Sequence, residues 1–222
     1  SAAAGRLATF FTCLAFFTLP YPAGALWREF ALASDRSDDP VILDVLEDAT
    51  LDESLEILEA VGERADPFIG VYLEDFLVHH TSRPSESEHL MRVLLDAAFP
   101  RSTDLSLLAG RVAANQGALL AASARLATFT DPQLCASIVR VIPLLPGGRG
   151  DLLGAVDRLA ERLAREDGRL DPRENALLLD VLEAMMRVGS PDFLEPALRV
   201  ARLSREKIVV DRAREVARAL AL

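Results

Sequence analysis

The sequence predicts an all-α fold, on three observations. Apolar residues recur at helical spacing in segment after segment, as in Leu152, Leu153, Val156, Leu159, Ala160 and Leu163, the period that turns one stripe of a helix toward a core. No segment alternates apolar and polar residues as a half-buried strand does. One boundary device also repeats: Asp39-Pro40, Asp66-Pro67, Asp131-Pro132, Asp171-Pro172 and Ser190-Pro191. Each pair sets a side-chain acceptor at an N-cap and a proline at the first helical position, where its missing N–H costs nothing.

Taken in order, the first element stands apart. The stretch ATFFTCLAFFTLPYPAGA, Ala8 to Ala25, carries no charge. Its apolar part, Leu7 to Leu19, has the length of a signal-peptide core and falls short of the roughly 20 residues a helix needs to cross a bilayer. Pro20 and Pro22 break a helix, and Ala23-Gly24-Ala25 sets small residues where a signal peptidase reads. The expectation is a cleaved secretory signal over 1–25 and a single helical domain over 26–222 that starts at Leu26. Export to a periplasmic or extracellular space follows. The alternative is an apolar first helix retained on the body of a cytoplasmic protein.

The helices expected next are Pro40–Ala49, after the first Asp-Pro pair, and Asp52–Glu63, with Leu55 and Leu58 in phase. Pro67–His79 starts at the second Asp-Pro pair. Glu86–Phe99, Asp104–Ala114 and Gly117–Phe129 rest on apolar spacing, and Pro132–Ile142 starts at the third pair. Asp151–Arg165 follows the turn Gly147-Gly148-Arg149-Gly150, Pro172–Val188 and Pro191–Leu203 start at proline pairs, and Arg205–Leu220 closes the chain. Links this short between helices of this length set antiparallel neighbours, in stacked hairpins or, alternatively, an irregular helical bundle. Repetition favours the stack: Val41-Ile-Leu-Asp-Val-Leu-Glu47 recurs as Leu177-Leu-Leu-Asp-Val-Leu-Glu183.

Pro191-Asp-Phe-Leu-Glu-Pro-Ala-Leu-Arg-Val-Ala-Arg202 is a proline-interrupted helix. An alanine-rich second helix follows it, Val210-Asp-Arg-Ala-Arg-Glu-Val-Ala-Arg-Ala-Leu220. This hairpin resembles a HEAT-type repeat, departing from that pattern where Asp211 follows the valine and Arg212 comes one place late. The resemblance covers the last third of the chain and implies an α-solenoid of the HEAT or armadillo class, a binding scaffold with an elongated face.

Charge is divided unevenly along the chain. Leu26 to Pro100 holds five basic residues against 18 acids, and Arg101 to Leu222 holds 18 against 16, within a net charge of −10. Such acidity disfavours sequence-independent binding to nucleic acid or anionic lipid. All basic residues but Lys207 are arginine, and Arg205, Arg212, Arg214 and Arg218 gather at the C-terminal end as candidate partner-binding residues. Cys135 is the one cysteine after residue 25, which excludes a disulfide within that part of the chain and cysteine-based zinc sites.

Chemistry-bearing residues are few. His79, His80 and His89, with Glu74, Asp75, Glu86 and Glu88 nearby, are the candidate metal ligands of an alternative reading, a small metal-dependent enzyme or ligand binder. Adjacent histidines point about 100° apart on a helix, however, and at a helix end they favour the negative dipole terminus. Phe68, Tyr72 and Phe76 form a stripe that reads as a core seam. The glycine-rich turn lacks the preceding strand and the Lys-Ser/Thr of a phosphate loop. The expected function is therefore an exported, non-enzymatic interaction scaffold for a protein partner, with no catalytic residue, no cofactor, no nucleic acid and no membrane span. Self-association is a further expectation, the arginine strip of one copy meeting the acidic half of another.

Overall fold

The computed structural model describes residues 23–64 and 68–221. Within them the chain forms α1 (Ala23–Ala33), α2 (Asp39–Asp48), α3 (Leu51–Glu63), α4 (Gly70–His79), α5 (Pro84–Ala98), α6 (Leu105–Ala114), α7 (Gln116–Ala124), α8 (Pro132–Val141), α9 (Arg149–Arg165), α10 (Pro172–Val188), α11 (Leu194–Leu203) and α12 (Lys207–Leu220). The fold is all-α, with no strand among the described residues. The apolar stretch Leu7 to Leu19 lies outside those residues. The expected cleavage point after Ala25 falls in the first turn of α1, a helix that packs on α3. No helix among the described residues is long and apolar enough to cross a membrane.

The proline-pair device holds at two helix starts and is put to other use elsewhere. Asp131 accepts from Gln133 N, and Asp171 from Arg173 N and Glu174 N, each with proline directly after. Ser190 makes no side-chain cap bond and opens a short 3-10 turn, Pro191–Phe193, ahead of α11. Asp66-Pro67 lies outside the described residues. Asp39 is the first residue of α2 rather than its cap, because its carboxylate turns inward to Arg64 and Tyr72. Pro196, expected to interrupt a helix, sits in the first turn of α11, where N–H groups have no intrahelical partner and proline is tolerated. The helix expected over Gly117–Phe129 stops at Ala124, and Arg125 to Thr128 turn toward α8.

Helices α4/α5, α7/α8, α9/α10 and α11/α12 pack within each pair. The second members also pack on one another in sequence: α3 on α5, α5 on α8, α8 on α10 and α10 on α12, with α1 against α3 ahead of them. First members touch as well, α4 with α7 and α9 with α11, while α6 leans on α7 and on the 3-10 turn Ile142–Leu144. The repeated heptads therefore occupy unequal places. Leu177–Glu183 lies in α10, within the row of second helices, whereas Val41–Glu47 lies in α2, which has no such neighbours on both sides.

One continuous apolar cluster runs through both layers, and Tyr72 and Phe193 are its largest fully buried side chains. The aromatic stripe is a core seam at Tyr72 and Phe76, and Phe68 is half-buried under the Arg36 guanidinium at 3.8 Å. Close approach sets the α3–α5 crossing: a Cβ on Gly62 would meet Ala97 Cβ at 2.6 Å and the Ala98 amide nitrogen at 2.9 Å. Helix ends are closed by residues from later elements. Arg111 of α6 donates to the Ala98, Gly62 and Arg64 carbonyls, Arg125 to the Leu77 carbonyl, and Arg140 to those of Phe99 and Thr103. Cationic donors suit these positions, because the last carbonyls of a helix lack intrahelical partners and carry its negative end. Asn115 does the opposite service for α4, accepting from the Ile69 and Gly70 N–H groups at 2.9 Å.

Candidate functional site

The row of second helices carries a polar ladder on one face. Arg92 of α5 donates to Gln133 of α8 at 3.0 Å, and Ser137 of α8 donates to Asp96 of α5 at 2.5 Å. Arg101 reaches Asp180 of α10 at 3.1 Å, Glu183 accepts from Arg187 at 3.0 Å, and Arg212 of α12 also pairs with Glu183. Sequence spacing explains the alignment: Arg92 and Asp96, Gln133 and Ser137, and Asp180, Glu183 and Arg187 lie three or four apart, so each set shares one helix face.

Two connected hollows open along this ladder. One, of about 290 Å³, is lined by Arg101, Thr103, Leu105, Arg140, Asp180 and Arg187 among others. The second, of about 330 Å³, lies between α5, α8 and α10 and shares Arg101 and Asp180 with the first. Burial pushes the Asp180 carboxyl above its ordinary range, and the Arg101 and Arg140 charges pull it back only in part. Burial likewise lowers Arg140, assisted by the like charge of Arg101 and, more weakly, Arg187. An arginine and an aspartate held at the edge of water in this way suit recognition of a charged surface.

The expected partner-binding arginines split into two groups. Arg205 pairs with Asp167 across the α9–α10 turn, and Arg212 is held by Glu183 and Glu215. Arg214 and Arg218 are exposed and make no ion pair within the described residues. Ala213, Val216 and Ala217, between them, are buried.

The histidines are dispersed over separate partners. His79 is exposed beside Asp75, with 3.4 Å between Nδ1 and the carboxylate. His80 is buried, its Nε2 2.9 Å from Glu88 and its ring edge-on to Phe129. His89 Nδ1 meets Arg92 at 2.8 Å. Among the described residues no group of three or more His, Cys, Asp or Glu is placed to hold a metal. Asp151 accepts from Ser123 at 2.6 Å, tying α9 to α7.

Sequence reading missed two polar centres. Glu88 is 1% exposed and accepts from the Thr130 N–H and hydroxyl, the Asp131 N–H and His80. Burial raises its pKa, but those four donors outweigh it and hold the carboxyl below the ordinary glutamate range. Asp39 binds Arg64 at 2.6 Å and the Tyr72 hydroxyl at 2.7 Å, all three side chains being buried. Burial and the Asp39 carboxylate drive the Tyr72 hydroxyl far above its usual range. Their partners lie far along the chain, Arg64 being 25 residues from Asp39 and Thr130 42 from Glu88, so no local pattern announces them.

No protein-family model matches the chain, and no curated protein or solved structure is significantly similar to it. Its function is read from its own geometry.

Proposed function

We propose that this chain is a non-enzymatic interaction scaffold, a HEAT-like α-solenoid that engages a protein partner along its row of second helices. The observation that carries the reading is the order of packing, α3–α5–α8–α10–α12, with a polar ladder and two connected hollows on that row. Repeat proteins whose units touch only their neighbours present an extended surface of this kind, and a partner reads it by charge and shape. The unpaired Arg214 and Arg218 extend the ladder to the end of the row and favour an acidic patch there, on a partner or on the acidic half of a second copy. Export with removal of residues 1–25 belongs to the same reading, supported by the uncharged stretch up to Ala25.

The test is site-specific photo-crosslinking in the native host. Probes at Gln133, Ala176 and Glu215 on the second-helix row should capture one common protein, while probes at Glu74 and Asp157 on first helices should not. Capture of the same protein equally from both sets overturns the assignment of the face. Small-angle scattering checks the architecture independently, since a radius of gyration at the compact-globule value of about 17 Å for this length argues against an elongated array.

A further inference from the structure

A third cavity, of about 270 Å³, lies between α8, α9 and α10 and shares Pro132 and Leu177 with the second hollow. Its walls are apolar and drawn from the core: Leu126, Phe129, Val139, Ala155, Leu159 and Leu177, none more than 7% exposed. The Cys135 thiol lines it too, and burial pushes its pKa up to about 12, so it stays a neutral apolar wall rather than a nucleophile. At the rim stand two arginines one helical turn apart. Arg162 is occupied, paired with Glu174 and Glu166. Arg158 is part-buried and makes no hydrogen bond or ion pair among the described residues, in a protein where most arginines near it are engaged. Glu174, 5% exposed, stands in the same wall and is held by Arg162. Arg158 is thus the donor at this rim that the described residues leave without an acceptor.

We propose that this cavity binds a small amphipathic carboxylate, its apolar chain among Leu126, Phe129, Val139 and Leu159 and its head group on the Arg158 guanidinium. Guanidinium forks hold carboxylates in paired, charge-assisted hydrogen bonds, and a desolvated rim strengthens them. Size sets the length. A cavity of about 270 Å³ is small, so a short-chain carboxylate, octanoate, is the probe. Its head-group contact stands apart from the scaffold reading, since Arg158 is no part of the ladder, while Leu177 lines both this cavity and the second hollow.

Isothermal titration of the full chain with sodium octanoate tests it, alongside octanol and octylamine. Saturable 1:1 binding of octanoate, weakened roughly tenfold or more by Arg158→Gln and abolished by the cavity-filling Ala155→Leu, is the expected result. Thermal melts without ligand show whether each variant folds. If Ala155→Leu fails to fold, the smaller fill Ala155→Val takes its place, with weakened octanoate binding as the expected result. The proposal falls if octanoate does not bind, if octanol or octylamine binds as well as octanoate, or if folded Arg158→Gln binds it undiminished.

Discussion

In the half up to Pro100, Asp38, Asp39, Arg64, His80 and Glu88 are all buried, whereas from Arg101 onward Glu174 is the one buried charged residue among those described. The second half keeps its charges on the outside, in pairs such as Arg199–Asp157, Arg202–Glu195 and Arg205–Asp167. These two uses of the same residue types differ in consequence. A buried charge that loses its partner cannot return to water, and the whole desolvation cost appears in stability. An exposed pair that is broken is simply rehydrated and was screened by salt beforehand. Both halves share the apolar cluster, and the acidic half adds to it a few buried ionic contacts that the other half largely does without.

The sharpest way to break the comparison is at Asp39. Asp39→Ala leaves Arg64 and the Tyr72 hydroxyl buried without their acceptor and should cost about 3–5 kcal/mol in urea unfolding. Tyr72→Phe, which removes one donor and leaves the ion pair, should cost about 1–2 kcal/mol. A loss below about 1 kcal/mol for Asp39→Ala would show that the pair is hydrated in solution and would dissolve the distinction between the halves.

Glu88 comes next and adds a pH signature. Its folded pKa is depressed, so it contributes stability at pH values above the ordinary glutamate range near 4.5. That contribution is lost as pH falls through the depressed folded value. Glu88→Gln should lower stability at neutral pH by roughly 2–3 kcal/mol, through the orphaned Thr130 and Asp131 N–H groups and His80. The gap from the wild type should narrow on titration from pH 6 toward pH 3, followed by chemical denaturation at each pH. A gap that is constant over that range would assign the loss to packing rather than to the ionised carboxylate.

The smallest effect is expected at the exposed pairs. Arg205→Ala, which frees the exposed Asp167, should change stability by less than about 1 kcal/mol and less still in 0.5 M salt. A larger, salt-independent loss would place this pair with the buried ones. It would implicate the close approach at Gly168, which has a positive φ, where a Cβ would meet the Leu203 carbonyl and whose own carbonyl accepts from the Arg205 N–H at 2.9 Å, tying that turn to the α11–α12 link.

Most helices were legible in the sequence, because apolar periodicity and N-cap chemistry are local. Pro172–Val188 matches residue for residue, and Asp131 and Asp171 cap as their sequence position implies. Local rules erred where a distant group competed for the same side chain. Asp39 has the sequence signature of an N-cap, but Arg64, 25 residues away, offers a charge-assisted bond that a lone backbone N–H cannot match. The candidate site was less legible. Arg205 and Arg212 looked free in the sequence and are bound by Asp167 and Glu183, from turns and helices far along the chain.

The sequence by itself determined the helical class, the places where helices begin, the aromatic seam of α4 and the unequal division of charge, since each depends on residues a few positions apart. Tertiary structure alone decided which charges are buried and which arginines are left over for a ligand. It also decided that α10 stands in the row while its sequence twin α2 does not. Those outcomes depend on which helix lies against which, and a stripe of apolar residues says that a helix must bury one face without saying against what.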